Sequence, residues 1–92
     1  MLEPLSNAKI RELKSKAQHL EPILKVGKEG LSEPFIKSVE SALDLHELVK
    51  IKFASFKEEK KQLSPLLAEK TSSHLIMRVG NVAVLYRPKQ LQ

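Results

Sequence analysis

The 92-residue sequence contains no cysteine and no tryptophan, and its aromatic residues are three phenylalanines and one tyrosine. Without cysteine the chain can form no disulfide, thiolate zinc site or iron–sulfur cluster and has no cysteine nucleophile, and this composition fits a reducing compartment. Because aromatic residues are so few, the core has to consist mainly of leucine, isoleucine and valine. The length allows one small domain that can fold alone, which we expect to occupy residues 1–92 with its core at about 5–89.

Long apolar runs and an excess of acidic residues are also missing. No stretch approaches the roughly 20 apolar residues of a membrane-spanning helix, and the first residues lack the basic and apolar regions of a signal peptide. We therefore expect a soluble cytoplasmic protein with no membrane partner. Sixteen basic residues against 11 acidic ones give a formal charge of +5. This charge favours nucleic acid or another polyanion as partner, although lysine-rich surfaces also serve solubility.

Three segments have the apolar spacing of helices. We expect the first at about residues 6–19, capped by Ser6 and ended by Glu21-Pro22. The second follows the cap residue Ser32 and ends near His46. The third covers residues 57–72, and because an interior proline disrupts a helix, we expect it to be regular after Pro65 and loose before it.

Short β-branched or alternating runs predict four strands, at residues 22–26, 48–55, 74–79 and 82–87. Gly80-Asn81 predicts a two-residue hairpin turn between the last two. The order α-β-α-β-α-β-β predicts an α/β fold, a small mixed four-stranded sheet with packed helices. Helical crossovers after the first two strands favour parallel pairing, and the last pair is antiparallel. Residues 88–92 should fray.

The loop Gly27-Lys28-Glu29-Gly30 joins the first strand to the second helix. Unpaired N–H groups at a helix N-terminus attract anions, and glycine lets a phosphate approach the backbone closely. KH domains use a GXXG loop to clamp a nucleic-acid backbone. The alternative is a plain turn between a strand and a helix.

Other chemistry has little support in the sequence. No nucleophile–base pair and no set of metal ligands is evident, so we expect no catalytic residue, metal, cofactor or small-molecule substrate. Ser6, Ser32 and Ser64 each precede helical segments and are interpreted as caps, and His46 as a partner of a helix C-terminus. Tyr86 is interpreted as a half-buried strand residue, with stacking on a base as the alternative.

Three motifs in this chain resemble the YhbY-like, or CRM, RNA-binding domain, named after chloroplast RNA splicing and ribosome maturation. They are VGKEGL (26–31), HELVKIKF (46–53) and GNVAVLYRP (80–88). The resemblance extends over about residues 5–89, and the motifs occur in the family's order. It implies the fold predicted above, similar to the C-terminal domain of translation initiation factor three. It also implies RNA binding, with the GxxG loop at the RNA surface.

Stand-alone bacterial members of this family are associated with precursors of the large ribosomal subunit, and plant relatives carry the domain in intron-splicing proteins. With a single domain, this chain resembles the bacterial form. Carried over, the loop glycines are Gly27 and Gly30, and Lys28 is common in the family. Glu29 departs from the pattern because a carboxylate repels phosphates, and Pro65 departs from the usual third helix.

We therefore expect a monomeric, non-enzymatic RNA-binding protein, and the resemblance implies that it acts in ribosome assembly. The predicted RNA-contacting residues come from the first helix, the loop and the strands: Arg11, Lys14, Lys25, Gly27, Lys28, Glu29, Gly30, Lys50, Lys52 and Arg87. We also expect Gly30→Asp to remove RNA binding while leaving the fold largely intact. The alternatives are an adaptor that binds an acidic protein, an accessory factor of RNA processing, and an enzyme.

Overall fold

The computed structural model describes residues 3–89, and its helices and strands follow the order expected from the sequence. The elements are α1 (Asn7–Ala17), β1 (Leu24–Val26), α2 (Glu33–His46), β2 (Leu48–Phe53), α3 (Lys60–Lys70), β3 (His74–Val79) and β4 (Val82–Tyr86). Of the segment expected to fray, residues 90–92 lie outside the described residues. The N–H of Lys89 donates to Oε1 of Glu47 at 2.9 Å, so the chain is still held at that point.

The four strands form one mixed sheet in the order β1-β2-β4-β3. The parallel pairing of β1 with β2 and the antiparallel β3–β4 hairpin confirm the predictions. The expectation that β2 would pair with a parallel β3 is wrong, because β4 lies between them and is antiparallel to both. Residues 83–86 of β4 are all buried. A strand that is apolar on both faces is best placed in the middle of a sheet, and β3, whose last two residues are exposed, forms the edge.

The hairpin turn between β3 and β4 is the predicted two-residue turn. Val79 pairs with Val82, and Gly80 and Asn81 lie between them. Gly80 has φ +57, whereas Asn81 is not among the residues with positive φ. A glycine at the first central position with this conformation is typical of a type II′ turn, whose twist matches that of the flanking strands.

Helices cover both faces of the sheet. Helices α2 and α3 pack on one face, where Val49, Ile51 and Phe53 of β2 are buried. Helix α1 packs on the other face through Leu13 and Ala17. Strand β2 is therefore partly buried on both faces, because its alternate face begins with Leu48 buried under α1 and becomes exposed only at Lys52.

Both ends of α1 are fixed by side-chain hydrogen bonds. Oγ of Ser6 accepts from the N–H of Lys9 at 3.1 Å, which confirms the predicted cap. The helix ends at Ala17, before the predicted limit of residue 19. There Nζ of Lys50 donates to the carbonyl oxygens of Ala17 and Leu20, both at 3.0 Å. A cation from β2 thus satisfies carbonyls at the negative end of the helix dipole.

Helix α3 runs through Pro65, which differs from the expected loose segment before that residue. It begins at Lys60, so the five residues preceding Pro65 are helical. Ser64 is not a cap, because it lies inside the helix with no exposed surface. Its buried hydroxyl has no hydrogen-bond partner among residues 3–89. The burial of this helix face by the sheet offsets the N–H that proline lacks.

Arg87, directly after β4, connects the two helices of the other layer. Its guanidinium donates to the carbonyl oxygen of Thr71 at 2.7 Å, just beyond the end of α3. It also donates to the carbonyl oxygen of Glu40 at 3.1 Å and to the carboxylate of Asp44 at 2.6 Å, both on α2. Arg87 thus connects α2 and the residue after α3 to the end of β4 through charge-assisted hydrogen bonds.

We predict that Lys50→Met lowers the free energy of unfolding by about 1–2 kcal/mol, because two carbonyl groups lose a charged donor. Lys52→Met, on the same strand and face but exposed, should change it by less than about 0.5 kcal/mol. Urea unfolding of both variants measures the difference. Equal stabilities would show that the bonds of Lys50 to α1 contribute nothing measurable.

Candidate nucleic-acid interface

Helix α1 leaves one end of its sheet face uncovered. Lys25, Lys52, Val82 and Val79 are successive cross-strand partners in the order of the four strands. They lie on the same face as the residues under α1, because partners share a face and side chains alternate along each strand. Both lysines are exposed, and Val79 is 62% exposed. We call this row the exposed row.

The two lysines of the exposed row are direct neighbours without an acidic partner. Lys25 is the register partner of Lys52, and like charges in directly opposed positions destabilise a sheet. The ion pairs found among residues 3–89 involve Glu12 or Asp44 and leave both lysines out. The chain therefore keeps an uncompensated positive charge at this position, which suits a bound anion.

The GxxG loop continues from the same end of the sheet. The N–H of Gly30 donates to the carbonyl of Gly27 at 3.0 Å and closes a four-residue turn with exposed Lys28 and Glu29 at its tip. Lys28 is three positions after Lys25 in the chain, so their Cα atoms lie within about 11 Å of each other. Within the described part of the chain, no hydrogen bond uses the N–H of Lys28 or Glu29. The turn tip therefore has free backbone donors beside the lysines.

The start of α2 supplies fewer donors than the sequence suggested. Oγ of Ser32 accepts from the N–H of Phe35 at 3.4 Å, which confirms the predicted cap and occupies that donor. Pro34 lacks an N–H, and Glu33 places a carboxylate in the first turn. The helix terminus is thus already largely satisfied by its own residues, and the backbone donors for an anion lie in the turn instead.

The two loop glycines have different roles in the fold. Gly30 has φ +65, and a Cβ atom there would stand 3.3 Å from Cε2 of Phe56. Gly27 has no such backbone requirement, and a Cβ atom there would meet nothing within 4 Å. A side chain at Gly30 is strained at this φ, so Gly30→Asp is expected to lower the stability of the fold as well, and its effect on RNA binding stays a prediction. Gly27 is the glycine whose missing side chain leaves open surface.

Two predicted RNA-contacting cations have their donors engaged within the protein. The ammonium of Lys50 bonds the end of α1, and the guanidinium of Arg87 bonds α2 and the residue after α3. Neither side chain contributes a free charged group to the exposed row. Their contact with RNA stays a prediction, and RNA phosphates would have to replace these intramolecular hydrogen bonds.

Helix α1 adds further cations on the same side of the molecule as the exposed row. Arg11 and Lys14 are exposed and take no part in the ion pairs among the described residues. Glu12 is instead paired with Lys9 at 3.6 Å and Lys16 at 3.3 Å. Its hydrogen bond with Lys16, together with both positive charges, lowers the pKa of Glu12, so this carboxylate stays ionised and offsets part of the charge.

The sequence did not single out Phe56, which lies against the loop. Its ring atoms are the nearest neighbours of Gly30, and the residue is 39% exposed with φ +56. The sequence did hold one signal for it, because Phe56 follows the alternating run of β2 and so could not belong to the buried face of that strand. Tyr86, the alternative stacking residue, is 7% exposed and stacks on His74 at a centroid distance of 6.3 Å. Burial lowers the pKa of His74, which favours its neutral form in this pair.

Two other kinds of site can be compared with this surface within residues 3–89. Across residues 3–89, acidic and histidine side chains do not gather in a group of three or more that could hold a metal ion. The helices of this same part of the chain are too short or too polar to cross a bilayer.

A protein family and several known proteins are similar to this chain over most of its length. The family model of the CRS1/YhbY (CRM) domain matches residues 5–87. An RNA-binding protein of Haemophilus influenzae is 37% identical over 87 residues, which cover 94% of this chain and 88% of that protein. The probable RNA-binding protein YqeI of Bacillus subtilis is 37% identical over 84 residues, covering 90% of this chain and 88% of that protein.

A solved structure is similar over the same length. The solution structure of a hypothetical protein from Staphylococcus aureus superimposes with a TM-score of 0.79 and is 33% identical, covering 96% of this chain and 93% of the other. The match therefore extends over nearly the whole of both chains. On the extent of the family match and of these similarities, the chain belongs to the CRS1/YhbY (CRM) domain family.

Proposed function

We propose that this protein binds RNA without catalysis and holds RNA phosphates at the end of the sheet formed by Lys25, Lys52 and the turn Gly27–Gly30. The observation that carries the proposal is the pair of adjacent, unpaired lysines beside a turn whose first glycine the fold does not require. The names of the relatives from Haemophilus influenzae and Bacillus subtilis as RNA-binding proteins support RNA as the polyanion.

The chemistry of this surface suits the sugar–phosphate backbone rather than base edges. Lysine acts as a mobile point charge, so Lys25, Lys28 and Lys52 attract phosphates and release their counterions without reading sequence. The free N–H groups at the turn tip can bond phosphate oxygens, and Gly27 allows the close approach that such bonds need. Glu29, also at the tip, opposes this attraction and limits affinity.

We further propose that the RNA belongs to precursors of the large ribosomal subunit and that the protein acts as a cytoplasmic monomer. The first part rests on the resemblance to stand-alone bacterial members of the family. Monomeric behaviour is supported by the two edges of the sheet. The edge strand β1 has only three residues, and β3 has a register shift between Leu75 and Met77, features that hinder the addition of a strand from a second copy.

An adaptor that binds an acidic protein would use the same cations. Sedimentation of cell extracts separates the two functions, because an RNA-bound protein migrates with ribosomal precursor particles and leaves them after ribonuclease treatment. Co-sedimentation that survives ribonuclease would favour the adaptor. An accessory role in RNA processing would instead appear as altered precursor ends in cells that lack the protein.

We predict that Lys25→Gln combined with Lys52→Gln weakens RNA binding. The slope of log affinity against log salt should become less negative by about 1.4, since each of two lost single-strand phosphate contacts contributes about 0.7. Fluorescence anisotropy with a labelled ribosomal RNA fragment over a salt series measures this slope. The matched control is Lys37→Gln with Lys70→Gln, which removes the same charge from exposed positions on α2 and α3. Equal losses in the two double variants would mean that RNA senses only net charge.

We predict that Gly27→Asp reduces RNA affinity more than tenfold while the melting temperature stays close to that of the wild type. The new carboxylate would occupy open space that a phosphate needs, without backbone strain. Gly30→Ala is the control for a stability effect. Alanine is strained at the positive φ of this position, so the variant should lower the free energy of unfolding by about 1 kcal/mol. Melting curves and RNA titrations on the same samples give both quantities. A folded Gly27→Asp variant with wild-type affinity would leave the loop as a plain turn.

A further inference from the structure

Phe56 is the most exposed of the three phenylalanines and one tyrosine, all of which lie among the described residues. Phe53 and Tyr86 are 1% and 7% exposed, and Phe35 packs against the core under α2, whereas Phe56 is 39% exposed. It lies between β2 and α3, outside any helix or strand. Single exposed apolar side chains are common on protein surfaces, so the significance of Phe56 lies in what adjoins its ring.

The backbone around Phe56 is held on both sides. The N–H groups of Ala54 and Ser55 both donate to the carbonyl of Val26, at 3.1 and 3.0 Å. The carbonyl of Phe56 accepts from the N–H of Glu59 at 3.1 Å. Between these anchors Phe56 has φ +56, a conformation that bulky residues seldom adopt. The fold therefore maintains an unfavourable backbone conformation at the residue that carries the exposed ring.

The ring adjoins the GxxG turn directly. Its Cε2 and Cζ atoms lie 3.3 and 3.6 Å from the position that a Cβ atom of Gly30 would take. Gly30 closes the turn whose tip carries Lys28 and Glu29, so ring and turn form one continuous surface. Lys57 follows Phe56 in the chain and is also exposed. Aromatic surface thus lies next to positive charge and free backbone N–H groups.

This combination distinguishes two kinds of RNA. In a double helix the base faces are covered by stacking, and proteins contact mainly phosphates and 2′-hydroxyl groups. Single-stranded sites combine a basic path for the backbone with aromatic rings on which bases stack. Packing alone would need only an apolar side chain over Gly30, and a leucine would provide it.

We propose that Phe56 stacks on an unpaired base of the RNA whose phosphate lies on the Gly27–Gly30 turn. The preferred ligand is then a single-stranded segment, such as a loop, bulge or end, and not a continuous helix. This inference rests on the proposed function and adds to it the class of RNA and the residue that selects it. The stacking is tolerant of base identity, because every base has a π face.

The absence of tryptophan provides a direct probe, because Phe56→Trp introduces the only indole of the chain. We expect its fluorescence to be quenched when a single-stranded 12-nucleotide RNA binds, with affinity retained. Leu66→Trp on α3 is the matched control, since Leu66 is also 39% exposed but lies in a helix away from the loop sequence. Its fluorescence should not change. No quenching at position 56 with saturating RNA would overturn the inference.

Phe56→Leu tests the energetic contribution. We expect about tenfold weaker binding to the single-stranded RNA, the scale that stacking on one base provides. The salt slope should stay unchanged, because no phosphate contact is lost, and affinity for a blunt 12-base-pair RNA duplex should not fall. Equal losses for duplex and single strand, or no loss for either, would overturn the inference.

The lysine variants separate failure of this inference from failure of the proposed function. If Phe56→Leu binds like the wild type while the Lys25 and Lys52 double variant loses binding, the stacking is absent and the phosphate site stands. If the lysine variant binds like the wild type as well, the proposed site itself is wrong. A melting curve of Phe56→Leu checks that this variant is folded. The fluorescence titration of Phe56→Trp tests the stacking even if Phe56→Leu does not fold.

Discussion

The carbonyl groups at helix C-termini need hydrogen-bond donors, and in this protein two basic side chains supply them at the ends of α1 and α3. The bonds of Lys50 join β2 to the end of α1, and those of Arg87 join the chain after β4 to α2 and to the residue after α3. At a helix C-terminus the partial negative charge makes a cation more favourable than a neutral donor. These contacts set where the helices end relative to the sheet.

The position of the end of α1 also determines which part of the sheet stays open. Lys50 and Lys52 are two residues apart on one face of β2, yet the first is bonded to α1 and the second is exposed beside Lys25. The period of two along a strand puts both on the same face, and the length of α1 gives them different roles. We infer that the binding surface is the part of the α1 face that the helix does not cover, extended by the GxxG turn.

Much of the fold could be predicted from local sequence. The caps Ser6 and Ser32, the Gly80-Asn81 turn and the element order depend on neighbouring residues, and the structure confirms them. Strand order could not be predicted, because the insertion of β4 between β2 and β3 depends on burial of both its faces by separate helices. The continuation of α3 through Pro65 likewise depends on tertiary packing that outweighs local preference.

The candidate site could likewise be predicted only in part from the sequence. Sequence reasoning found the turn and the lysines, but it could not distinguish Gly27 from Gly30, since that difference requires a φ angle and the neighbouring ring of Phe56. Nor could it separate Lys50 and Arg87 from Lys25 and Lys52, because a lysine on a strand gives no sign of which helix end lies within reach. Knowing which residues share a surface therefore requires the tertiary structure.

The most direct test of this account is an amide NMR titration of the folded protein with a single-stranded RNA. The account predicts that the largest chemical-shift changes occur at residues 24–30, at Lys52 and at Phe56, and that Arg87 and the end of α3 change little. Changes centred on Arg11 and Lys14 of α1, or around Arg87, with the Gly27–Gly30 turn unaffected, would contradict it.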